Sequence, residues 1–211
     1  MTLEQQGFAK TAETIIKELK KRNIDGYFCE TGAQANELVL SMLPEGASIG
    51  WGGSETIKEC GLMGALQGKN YNLIDRSSAK TDEERREIYA KTVMADAFLM
   101  STNAITINGE LVNIDGASNR LACLLHGPKE VYVLVGMNKL VSDTQAAIGR
   151  IRSIACPANT IRLNRNTPCA LTGKCGDCFG DQSICSNIVI TRRSSFPGRI
   201  KVILIAESYG F

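Results

Sequence analysis

Two groups of residues in this chain carry side chains suited to chemistry. The first is spread over three polar turns: Gly52, Gly53 and Ser54; then Asn113, Asp115, Gly116, Asn119 and Arg120; then Asn138 and Lys139. Each turn lies between an apolar strand-like run and a helical pattern or at a strand's carboxyl end. Backbone N–H groups are free at a helix start, and the helix dipole favours negative charge there. Glycines let the backbone approach a ligand, and Ser54 is placed to cap the helix that follows. The combination outlines a site for a small anion, a carboxylate or a phosphate, with Arg120 and Lys139 as its cations and Asp115 as the carboxylate that would act as acid or base. The plainer alternatives are a tight strand-to-helix connection at Gly50 to Ser54, solvated salt bridges at Arg120 and Lys139, and an Asp115 that only holds backbone. The Gly50 to Ser54 turn matches neither a Walker loop nor a dinucleotide fingerprint, so the residues point to a binding site without naming a reaction.

The second group is a run of thiols, Cys169, Cys175, Cys178 and Cys185, spaced C-x5-C-x2-C-x6-C. Four thiolates meet the coordination number of zinc or of an iron–sulfur cluster, and free or redox-active thiols are the third reading. The lone C-x2-C pair with unequal outer intervals leans toward an iron–sulfur cluster, with zinc as the alternative. The other four cysteines, Cys29, Cys60, Cys123 and Cys156, lie on strand or helix patterns without partners at ligand spacing and read as buried thiols.

The elements that must position these residues follow from periodicity. An amphipathic helix is predicted from Thr2 to Arg22, then strands at Tyr27 to Thr31, Ala47 to Gly50, Asn72 to Asp75 and Ala97 to Ser101. The helices between them are Gly32 to Leu43, Glu55 to Leu66, and one opened by the capping box Thr81 to Glu84. Asn108-Gly109 between two β-patterned runs predicts a type I′ hairpin. A short helix at Leu121 to Leu125 precedes a continuous apolar run, Val131 to Val135, suited to a central parallel strand whose carboxyl end leads into Asn138 and Lys139. A second capping box, Ser142 to Gln145, opens a helix that Pro157 is expected to end. Asn187 to Thr191 and Ile200 to Ile205 are the last strands, the latter rejoining the main sheet. The βα alternation predicts a three-layer α/β/α fold with a largely parallel sheet, an antiparallel β-hairpin and a cysteine-rich C-terminal appendage. We read one domain, residues 1–211, with a cysteine-rich insertion over residues 165–186.

Composition narrows the function classes. No run approaches the roughly 20 apolar residues that span a bilayer, and the N-terminal stretch carries acids where a signal peptide would be apolar. A cytoplasmic location is expected, where eight cysteines argue for metal or redox roles over disulfides. From Arg150 onward nine Lys and Arg face three acids. That basic bias would offset a thiolate cluster; nucleic-acid binding is disfavoured by the absence of a stacking aromatic pattern.

Three stretches, GWGGSETIKECGL, NIDGASNRLACLLHGPKEVYVLVGMNKLV and PGRIKVILIAESYGF, resemble the LUD domain family of lactate-utilisation proteins over nearly the whole chain. The order NIDG, NR, GPK and GxNK carries the likeness. The resemblance implies a fold similar to sugar-phosphate isomerase and coenzyme A transferase-like α/β proteins. It also implies a role in organic-acid metabolism, oxidation of lactate to pyruvate beside iron–sulfur redox partners. Larger members carry separate ferredoxin-like cysteine modules, for which the cluster here is a substitute or an unrelated feature. The partners expected are a small anionic ligand, redox proteins or a second copy of the chain, with no membrane.

Overall fold

The apolar run at Val131 to Val135 lies at the centre of a six-stranded sheet, as its pattern requires. The computed structural model describes residues 1–211. The main strands are β1 (Asp25–Cys29), β2 (Ser48–Trp51), β3 (Asn72–Ile74), β4 (Ala97–Met100), β7 (Glu130–Gly136) and β10 (Ile200–Ile205), all parallel in the order β1-β10-β7-β4-β2-β3. A strand buried on both faces needs apolar residues at every position. Val131, Val133 and Val135 join one core, while Tyr132 and Leu134 join the other.

Helices cover both faces. One layer holds α1 (Leu3–Lys21), α5 (Asp82–Val93) and α6 (Asn119–Leu125); the other holds α2 (Gly32–Met42), α3 (Glu55–Glu59) and α4 (Leu62–Leu66). Phe8, Ala12, Ile15 and Leu19 are the buried face of α1. Burying each of the three large ones contributes about 1.5–3 kcal/mol. The capping box predicted at Thr81 and Glu84 is present with both of its reciprocal bonds. No helix is long and apolar enough to cross a membrane.

A second sheet, not anticipated beyond its hairpin, has the order β8-β5-β6-β9, from β5 (Ala104–Thr106), β6 (Leu111–Asp115), β8 (Leu140–Val141) and β9 (Asn187–Thr191). It packs on a long helix through Ala104, Val112, Ile114, Ala147, Ile151 and Ala155. The chain following the thiols thus returns to this sheet, and β10 alone rejoins the main one.

Four local expectations are corrected. The hairpin is antiparallel, but Gly109 (φ +83°) has positive φ while Asn108 does not, so the turn is not type I′. The Gly109 amide donates to the Thr106 carbonyl and the Thr106 amide to Glu110, a longer loop with glycine in the left-handed position. The helix expected over Glu55 to Leu66 breaks into α3 and α4 at Gly61 (φ +81°). The second capping box shifts by one residue: Asp143, not Ser142, caps α7 (Thr144–Arg150) by accepting from the Ala146 amide. Pro157 does not end that helix. Ile151–Ala155 widens into a π turn, and the chain continues as α8 (Cys156–Arg162) with Pro157 in its first turn. Proline removes an N–H and crowds the carbonyl four residues back; a π turn, bonded across five residues as in Cys156 N–H to Ile151 O, relieves that crowding.

Candidate functional site: a cationic cleft at the strand ends

A cleft of about 480 Å³ opens where β2, β4, β7 and β10 end, between the main sheet, the second sheet and α8. Ligands in parallel α/β sheets bind at this carboxyl edge. Gly53, Ser54, Asp115, Gly116, Asn119, Arg120 and Lys139, seven of the ten residues singled out in sequence, line it together. The other three stand one layer out. Gly52 faces an adjoining cavity of about 330 Å³ with Trp51, Tyr89 and Phe98. Asn113 is fully buried, its Oδ1 accepting from Arg120 Nη1 at 2.6 Å and its Nδ2 left without a partner. Asn138 holds the C-terminal strap, donating to the Gly210 carbonyl at 3.0 Å and accepting from the Tyr209 amide at 3.2 Å.

Lys139 forms the floor. It sits in a single 3₁₀ turn directly after β7 and is 3 % exposed. The turn fits there because Gly136 lets the chain after β10 pass close: a Cβ on Gly136 would stand 2.7 Å from the Tyr209 nitrogen and 2.9 Å from the Glu207 carbonyl oxygen. The Lys139 amine donates to Thr56 Oγ1 at 2.6 Å and Ser101 Oγ at 3.0 Å. No carboxylate pairs with it. Burial, then the positive charges of Arg150 and Arg120, lower its pKa to about 7, opposed by Glu59. A buried ammonium with two hydroxyl acceptors has a third N–H to give; the neutral amine has a lone pair instead. Either way one position on the nitrogen has no protein partner.

Arg120, on α6, turns back across the turn that precedes it. Its guanidinium donates to Asp115 Oδ2 at 3.0 Å, to the Ser101 carbonyl at 2.9 Å, to Asn113 Oδ1, and to Asn103 Oδ1 at 3.3 Å. Burial lowers its pKa and Asp115 opposes the shift. Asp115 is also engaged on its other oxygen, which accepts from the Ser118 amide at 2.9 Å. This pair is a scaffold that turns strand ends toward the cleft, so Asp115 positions Arg120. The anion site imagined at the α6 start is altered too: Ser118 is left-handed (φ +59°) and makes no side-chain cap, while the Asn119 side chain occupies the Arg120 amide.

The rim adds Arg76, Arg162 and Arg165. Two acids line the cleft, Asp115 paired with Arg120 and Glu55 paired with Arg162 at 3.4 Å. Five cations against two engaged acids leave a strongly positive concavity, which raises the local concentration of anions. Thr56, Ser101, Asn103 and Arg150 were not singled out by sequence. Arg150 lies on an otherwise apolar helical stripe and donates to the Asn138 carbonyl at 3.0 Å and the Asn103 carbonyl at 2.8 Å. Its place in that stripe was the one available signal.

The predicted thiols fall on α9 (Pro168–Thr172), which carries Cys169, and on the coil that follows. Cys169 is buried, Cys175 and Cys178 are half-buried and Cys185 is exposed. No group of three or more Cys, His, Asp or Glu side chains is arranged to hold a metal ion. The nearest sulfur to Cys185 belongs to a residue set aside in sequence, Cys156, at 3.5 Å. The hydrogen bond with Cys185, burial and the charges of Cys185, Cys169 and Cys175 all push the Cys156 thiol up.

Fold and cleft together define an α/β protein with a positively charged pocket at its strand ends. The LUD domain family matches residues 12–205, and the chain belongs to that family. A DUF162 family protein from Deinococcus radiodurans has a similar fold, with a TM-score of 0.54 at 12% identity, covering 93% of this chain and 97% of that one. Weaker likenesses are eIF2B delta from Chaetomium thermophilum (TM-score 0.38, 16% identity, 68% of this chain and 57% of that one) and ribose 5 phosphate isomerase A from Neisseria gonorrhoeae (0.35, 14%, 54% of each). No curated protein matches the chain.

Proposed function

We propose that this LUD-domain protein serves lactate-utilisation-type organic-acid metabolism by binding a small anion, a carboxylate or a phosphate, in the cationic cleft. The observation that carries the reading is Lys139: an amine 3 % exposed, held by two hydroxyls and facing no carboxylate, at the floor of a cleft with three further arginines at its rim. Burying an unpaired amine is costly, and an anionic oxygen on its third N–H offsets that cost. An amine whose charge changes near neutral pH also suits proton exchange with a bound hydroxy acid. The cleft volume falls within the roughly 300–1,000 Å³ of pockets that take ligands larger than a three-carbon acid, so there is room for a second group beside it.

Titration calorimetry with lactate, pyruvate and inorganic phosphate tests the reading. At least one should bind, losing about 100-fold, or roughly 2.7 kcal/mol, in Lys139→Met and a few-fold in Arg76→Ala. Failure of all three anions to bind, or unchanged affinity in Lys139→Met, would contradict it.

A further inference from the structure

The thiol-bearing coil is pinned along one helix. Cys169 Sγ rests 3.5 Å from Thr160 Oγ1, which donates to the Cys156 carbonyl at 3.0 Å. Cys169 therefore lies one turn along α8 from Cys156. Gly176 lies against Pro168, where a Cβ on it would stand 2.9 Å from the proline Cβ; this brings Cys175 beside the α9 start. Asp177 pairs with Arg152 at 3.1 Å, on the turn before Cys156. Cys156 and Cys185 meet at 3.5 Å between sulfurs. By contrast Cys29, Cys60 and Cys123 lie within the two cores of the main sheet.

We propose that Cys156, Cys169, Cys175 and Cys185 ligate one thiophilic metal centre, a zinc ion or an iron–sulfur cluster, at the first turn of α8. Cys156 thereby takes the place that spacing alone gives to Cys178. A tetrahedral zinc with bonds of about 2.3 Å separates its sulfurs by roughly 3.8 Å, close to the distance at which Cys156 and Cys185 already stand. Residues 173–186 contain no helix or strand, so the remaining approach moves coil and leaves the sheets in place. On binding Zn²⁺ each thiol releases a proton to solvent and forms one sulfur–metal bond, with no electron transferred. The cluster form requires inorganic sulfide with ferrous and ferric iron in equal amounts, which together give a [4Fe–4S]²⁺ core with no net electron transfer. Arg152, on the same helix, supplies positive charge beside the thiolates.

The test uses the full chain, purified anaerobically, stripped with chelator and offered either Zn²⁺ alone or equal amounts of Fe²⁺ and Fe³⁺ with sulfide. The wild-type protein should hold one zinc per chain in the first arm or a visible chromophore in the second, and whichever arm binds identifies the centre. Cys156→Ser and Cys185→Ser should each lose at least about tenfold in metal affinity, while Cys178→Ser and Cys60→Ser should match the wild type. Cys185 is on exposed coil, so its variant keeps the test decisive if Cys156→Ser folds poorly by circular dichroism. Wild-type retention in Cys156→Ser or in Cys185→Ser overturns the assignment. So does a reduced wild-type protein that holds neither metal, including one in which mild oxidation joins Cys156 to Cys185.

Discussion

Within the cleft, one guanidinium, that of Arg120, donates to four acceptors drawn from two strand ends and a loop. Across the wall formed by Ser183, Ile184 and Ser186, the thiol-bearing coil is held mainly by local bonds such as Cys185 N–H to Ser183 Oγ and Ser183 N–H to the Gly180 carbonyl, with the partly exposed Asp177–Arg152 pair and the Cys156–Cys185 contact tying it to the neighbouring helix. The difference teaches where each region's geometry comes from. The cleft is organised before any ligand arrives, because nearly every polar group at its base is already bonded to protein. The thiols have no such preset arrangement: no three of them are gathered as they would be around a metal ion. The two regions touch: the Ile184 backbone packs on Gly116, where a Cβ would stand 3.3 Å from the Ile184 Cα.

The sharpest way to break this contrast is to remove a scaffold group from each side. Asp115→Ala strands a buried guanidinium and should cost about 3–5 kcal/mol of unfolding free energy, read by urea denaturation. In metal-free protein Cys185→Ser should stay within about 0.5 kcal/mol of wild type in the same measurement. Equal losses would show that the coil is as firmly built as the cleft.

The next effect is on pH dependence. The Lys139 amine has its pKa lowered to about 7 in the fold, whereas the unfolded chain keeps the ordinary value near 10.5. Between those values the unfolded state binds more protons, so this group makes stability rise with pH over that window. Anion affinity runs the other way, falling by up to about tenfold per unit as pH climbs above 7, because the amine loses its charge. Thermal melts and ligand titrations across pH 6 to 10 (a window set by roughly one unit either side of the shift) should show opposite slopes. Both slopes should flatten in Lys139→Met. The smallest expected effect is coupling across the shared wall: metal loading of the wild-type protein should change anion affinity by a few-fold through Ile184 and Gly116, and no change would mean the two regions act separately.

What sequence disclosed here depended on how local the cause was. The run Val131 to Val135 marked a strand buried on both faces, and Thr81 with Glu84 marked a helix start, because period and capping are properties of neighbouring residues. Seven cleft residues were legible for the same reason, since each sits at a strand end or within a few residues after one. The hydroxyls of Thr56 and Ser101 were not, because only the packing of α3 and the end of β4 around Lys139 gives them a role. Pro157 misled: its usual helix-ending effect was absorbed by the π turn before it. That same continuation carries Cys156 to Cys185, twenty-nine residues away in the chain, a pairing that ligand spacing could not reveal.

Lys139 is a buried amine with no carboxylate partner and a pKa lowered to about 7, and on the proposed function an anion meets it there. Calorimetry at about pH 8 in buffers of different ionisation enthalpy tests this most directly, by counting protons taken up as the anion binds. Uptake approaching about one proton per chain is expected in the wild type and none in Lys139→Met. Anion binding with no proton uptake, or uptake that persists in Lys139→Met, would contradict it.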